Sequence, residues 1–148
     1  NAVQTIDWRL AIQPYMKSLQ ILTCPSNTNT ATGGGPAGGG DQSGGFSHHY
    51  AWPTEYSPNG LRWDNSSIAL AAITSPSQML NVVETRQSGN PDMALWNAVN
   101  DCFINHSGMG NFLYCDGHVK TKKWATTMTP YCEWRFDGVV QGYTLPSG

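Results

Sequence analysis

Between positions 33 and 45 the chain carries eight glycines in thirteen residues. Such a tract has almost no side chain to bury and loses more backbone freedom on ordering than other sequences do. It therefore reads as a long surface loop, over 28–46, and the core must be built from what flanks it. The tract lacks the G-x-x-x-x-G-K-[ST] spacing of a phosphate-cradling loop. With 148 residues in all, the chain is expected to form one domain over 1–148. Only 12% of residues are charged, 8 basic and 10 acidic for a net charge of −2. No basic stripe is available to neutralise phosphates, so nucleic acid is excluded as a partner. No apolar run approaches the roughly 18 residues of a membrane helix, so no span of a membrane is expected. The chain opens at Asn1 rather than Met, which suggests processing or a fragment, and the low charge suits an extracellular or cell-surface protein.

The four cysteines, Cys24, Cys102, Cys115 and Cys132, lack C-x-x-C spacing and so do not read as a zinc or haem motif. Two disulfides in an oxidising compartment are the expectation. Segments 103–106 and 111–114 read as strands joined by Ser107-Gly108-Met109-Gly110, and pairing 106 with 111 sets Cys102 opposite Cys115. By elimination Cys24 would meet Cys132.

Along the chain, Trp8, Ala11, Ile12, Tyr15, Met16 and Leu19 recur at spacings of three and four, which predicts a short amphipathic N-terminal helix that Pro14 interrupts. The run 21–24 could be extended, and 67–73 leaves helix and strand open. Strands are expected within the aromatic stretch 46–56, at an edge because of Pro53, and at 79–84, 111–114 and 118–120. Antiparallel strands after one helix make the class α+β. The C-terminal extension, 125–148, shows little periodicity.

The stretch from His106 to Lys120 places nine residues between His106 and the Asp116-Gly117 pair. It resembles the H-x9-DG signature of the prepilin-type, processing-associated domain of bacterial pseudopilin-like proteins. Pro14-Tyr15-Met16-Lys17 through Ile21-Leu22-Thr23-Cys24-Pro25-Ser26 is similar to that family's PYxK…CPS segment. Ile73 to Leu80, running through Glu84, resembles a third block, I..PS.TI...E. The resemblance implies a pilin-like globular domain in a filament, pilus or type II secretion pseudopilus, a polymer of this chain. The family's apolar N-terminal helix does not open this sequence, so a separate chain supplying that helix is one expectation. Subunit contacts are then expected from the aromatic tail: Tyr131, Trp134, Phe136 and Tyr143.

His106, Asp116 and Gly117 have a structural reading first. Asp-Gly between extended segments is a hairpin signal, and His106 across the hairpin could bond to that turn. The resemblance adds calcium as a cofactor, held by Asp116 with Asp101 and Asp137 through hard oxygen ligands, although no EF-hand spacing is present. A transition-metal site from His48, His49, His106 and His118 is disfavoured because adjacent strand residues point to opposite faces. Glu84, Asp101 and Glu133 as a carboxylate pair, or Ser107 beside His106 as a nucleophile, lack any third group placed by spacing, so no enzyme is expected. Trp52, Tyr56 and Trp63 supply the alternative, a secreted monomeric adhesin or carbohydrate-binding module.

Overall fold

In a computed structural model, residues 12–22, 24–26, 50–53, 69–84, 92–93, 106–135 and 137–140 are described. The strands are β1 (Tyr50–Pro53), β2 (Leu80–Glu84), β3 (Asp92–Met93), β4 (Gly110–Tyr114) and β5 (Val119–Lys122). They form one sheet in the order β3-β1-β2-β4-β5. Neighbours from β1 to β5 run antiparallel, and β3 alone lies parallel to β1. The stretch 46–56 was expected to contribute an edge strand. Instead β1 lies inside the order, although β2 pairs only with Tyr50 and Ala51. Pro53, which has no N–H to give, sits opposite the two-residue β3.

Of the expected N-terminal helix, residues 8–11 lie outside the described residues and Ile12 is α-helical. Among the described residues the other helices are 3-10 segments of three or four residues, at Gln13–Tyr15, Leu19–Leu22, Leu70–Ala72, Pro76–Gln78 and Trp124–Thr127. Pro14 removes the N–H that an α-helical ladder needs there, and from Gln13 onward the chain takes two tight turns, at Gln13–Tyr15 and Leu19–Leu22, the interruption expected at Pro14. Tyr15, expected on the buried stripe, is 88% exposed. Ile21 and Leu22, from the run 21–24 that could be extended, lie in the second turn.

Two features fix which face each strand residue takes. On β4 burial alternates: Gly110, Phe112 and Tyr114 are buried while Asn111 and Leu113 are half-buried, the period of two that a pleated strand imposes. On β2 the register shifts between Leu80 and Val82, so one extra residue is accommodated there. That bulge puts both Leu80 and Val83 on the face of Phe112 and Tyr114 and turns Val82 to the other face, with Leu113.

The first face is closed by the C-terminal segment. Leu80, Val83, Phe112, Tyr114, Met128, Cys132 and Trp134 form one buried cluster, with Trp124 packed against it. Trp134 is 0% exposed, and its indole N–H donates to Thr127 Oγ1 at 2.6 Å. The segment is tied down by backbone bonds from Leu80 N–H to Glu133 O and from Glu133 N–H to Thr127 O, both 2.8 Å. Trp134 was expected at a subunit interface. A side chain with no exposed surface offers nothing to a neighbour, so its aromatic area serves folding. Tyr131 is half-buried, while Phe136 and Tyr143 lie outside the described residues.

Arg135 grips Asp137 through Nε–H to Oδ1 at 2.9 Å and Nη2–H to Oδ2 at 2.7 Å. This guanidinium, helped by the Val139 N–H, holds the Asp137 carboxyl below its ordinary value of 3.8 against the opposing effect of burial. A lowered folded-state value means that the pair stabilises fully above the unfolded value and that this contribution fades as pH falls through the folded one. Asp137→Asn is therefore expected to lower the urea midpoint near pH 6, and the deficit should shrink at about pH 3.

Candidate functional site

The second face of the sheet carries Val82, Asn111, Leu113 and Val119. Over it lie Ile12, Met16, Ile21 and Leu22 from the N-terminal turns. The two sets enclose an open, apolar groove of about 330 Å³. Its rim is not covered, since Ile21 is 65% and Val119 62% exposed.

At one end of this face Asn111 meets Glu84. The Asn111 backbone N–H donates to Glu84 Oε2 at 2.7 Å, and its side-chain amide donates to Oε1 at 3.2 Å. Glu84 is only 4% exposed. Two further groups converge on it. His106 Nε2 lies 3.5 Å from Glu84 Oε1 and 3.7 Å from Cys24 Sγ. The ligating atoms of Cys24, Glu84 and His106 all lie within 4.8 Å of one another, the one such group of three among the described residues.

His106 was expected to face the Asp116-Gly117 turn, and the structure separates them. His106 bridges to Met109, across a two-residue turn in which Ser107 has φ 59° and Gly108 φ 78°. Two successive positive φ values are the geometry of a tight hairpin turn. It is two residues shorter than the turn expected from Ser107 to Gly110, and β4 pairs with β2 on one side and β5 on the other, so the pairing of 106 with 111 that set Cys102 opposite Cys115 does not form. Asp116 and Gly117 form the separate β4–β5 turn, as the Asp-Gly signal predicts. Gly117 N–H donates to Tyr114 O at 2.9 Å, Gly117 has φ 93°, and Asp116 Oδ1 accepts the His118 N–H at 3.2 Å.

The His118 ring supplies the contact expected of His106. Its Nδ1 lies 2.5 Å from Asp116 Oδ1, and it stacks on Tyr114 at 4.3 Å between centroids. The His118 backbone N–H, ahead of its ring, keeps the Asp116 carboxyl below its ordinary value. Tyr114, buried and donating its O–H to Glu133 Oε2 at 2.8 Å, has its phenol pushed well up, first by burial and then by Glu133.

The remaining expected sites fare as follows. Cys24 and Cys132 do not form a disulfide: Cys24 Sγ lies against His106, whereas Cys132 is buried in the cluster around Trp134. No disulfide occurs among the described residues. Cys115 Sγ donates to Leu80 O at 3.9 Å, and Cys102 lies outside the described residues. For calcium, Asp116 is engaged by His118 and Asp137 by Arg135. Neither belongs to a group of three ligating side chains among the described residues, and Asp101 lies outside them. The imidazoles of His106 and His118 go to different partners. Glu133 is bound by Lys122 Nζ at 2.8 Å and by Tyr114, apart from the partners of Glu84. His48, His49, Tyr56, Trp63, the glycine-rich loop and the side chain of Trp52 lie outside the described residues.

Sequence reasoning missed the convergence of Cys24, Glu84 and His106. One signal could have found it: in chain order, Cys24 lies in the block 14–26, Glu84 ends the block 73–84 and His106 opens the block 106–120. Each of these widely spaced blocks contributes one ligating side chain to the same point. No helix among the described residues is long and apolar enough to cross a membrane. No protein-family model matches the chain, and comparisons with curated proteins and with solved structures return no match.

Proposed function

We propose that the chain is a structural subunit of an extracellular filament, pilus or pseudopilus, and that copies assemble by packing against the second face of the sheet. The observation that carries this reading is the open apolar groove, with Ile21 and Val119 exposed at its rim. One face of the sheet is sealed by Trp134 and its neighbours, while the other is apolar and only partly covered. A filament of identical subunits needs two different patches that meet on successive copies. A half-covered apolar face supplies one of them, and the low overall charge keeps stacked copies from repelling.

Val119 is the most informative rim position, because it is exposed and so contributes little to the fold. Val119→Asp is expected to leave the melting temperature nearly unchanged and to weaken assembly by about 2 kcal/mol or more, the size of an interface hot spot. Sedimentation of assembled against soluble protein reads this out. Equal sedimentation of variant and parent would remove the groove from the assembly surface.

A further inference from the structure

We infer that Cys24, Glu84 and His106 form a binding site for a single divalent transition-metal ion, with zinc the best match to its sulfur, nitrogen and oxygen donors. The inference is independent of the filament reading. Its first support is geometric. Zinc binds thiolate at about 2.3 Å and imidazole or carboxylate at about 2.0 Å, so tetrahedral angles require S···N near about 3.6 Å and N···O near about 3.3 Å. The structure places Cys24 Sγ 3.7 Å and Glu84 Oε1 3.5 Å from His106 Nε2. Both distances fall near those ligand-to-ligand edges, and all three ligating atoms lie within 4.8 Å of one another.

The second support is electrostatic. Glu84 is 4% exposed, and a carboxylate removed from water needs compensating charge. Among the described residues its one ion-pair partner is His106, which is positive only when protonated. A divalent cation placed among these side chains supplies that charge. The third support is the orientation of the ligand. Asn111 holds both Glu84 oxygens with its backbone and side-chain N–H groups, the kind of outer contact that fixes a ligating carboxylate. The donor set selects among metals. Calcium and magnesium prefer oxygen alone, whereas mixed thiolate, imidazole and carboxylate suits a borderline ion such as zinc. Three protein ligands leave a fourth tetrahedral position for water.

The test is titration of the reduced full-length chain with cobalt(II), followed by displacement with zinc. The expected result is about one cobalt per chain with a sulfur-to-cobalt charge-transfer band, bleached when zinc is added. Cys24→Ser, which keeps the side-chain shape, should abolish the band with unchanged far-ultraviolet circular dichroism. His106→Ala should weaken affinity by about 100-fold or more, and Asn111→Ala, acting through Glu84, by about 10- to 100-fold. Should His106→Ala fail to fold, the parent titration and Cys24→Ser decide alone. Absence of the band in the parent, or its persistence in Cys24→Ser, would overturn the assignment.

Discussion

Trp134→Ala is expected to cost about 3–5 kcal/mol of folding stability, the range for removing a fully buried aromatic side chain from a core. Three things are lost together. The indole is 0% exposed and packs in the cluster of Leu80, Val83, Phe112, Tyr114, Met128 and Cys132, so its removal leaves a large cavity. Its N–H satisfies Thr127 Oγ1, itself buried. It also anchors the C-terminal segment that covers the first face of the sheet. For a domain of this size the melting temperature should fall by roughly 10 °C or more. Urea unfolding of parent and variant measures it. A change below about 1 kcal/mol would mean that Trp134 is not in the core. The same experiment separates a core role from the interface role that the aromatic tail suggests, because an interface residue would alter assembly and leave the unfolding midpoint in place.

Gly138→Ala should be the next most damaging single change, costing about 2 kcal/mol or more. Gly138 has φ 67°, a conformation that costs a side chain about 1–2 kcal/mol. A Cβ there would also lie 2.0 Å from Tyr131 Cε2 and 2.1 Å from Cζ, so the ring would have to leave its place. That ring packs on the turn closed by Cys132 N–H to Gly138 O at 3.1 Å and Gly138 N–H to Arg135 O at 3.2 Å. Displacing it strains the same segment that carries Trp134. The double variant Gly138→Ala with Tyr131→Ala distinguishes the two contributions. Relief of the clash should recover part of the loss, and the backbone strain should remain. No recovery would mean that the ring does not oppose the added methyl.

Much of the sheet is readable from local pattern. The alternation at Phe112, Leu113 and Tyr114 and the Asp116-Gly117 signal suffice for β4, its turn and β5, because periodicity and turn chemistry are encoded within a few residues. β2 is legible as a strand, but its bulge is not. Nothing local to Leu80-Asn81-Val82 says that an extra residue is absorbed there, yet that bulge decides which valine faces the core. The turn after His106 was expected two residues too long, since Ser107 in a positive-φ conformation is unusual for a residue other than Gly or Asn.

The burial of Trp134 and the meeting of Cys24, Glu84 and His106 depend on contacts between distant segments. Such contacts leave no periodic trace in either segment. The even cysteine count pointed to disulfides for the same reason: it registers number and not place. Once Cys24 is set against His106 and Cys132 under Trp134, the bridge between them is gone, and Cys24 takes its meaning from the imidazole and carboxylate beside it.

The measurement that bears most directly on the account is electron cryomicroscopy of the native protein at high concentration. The account predicts helical filaments in which Val119 and Ile21 of each copy are covered by the neighbouring subunit. Discrete monomers, or filaments in which both side chains remain open to solvent, would contradict it.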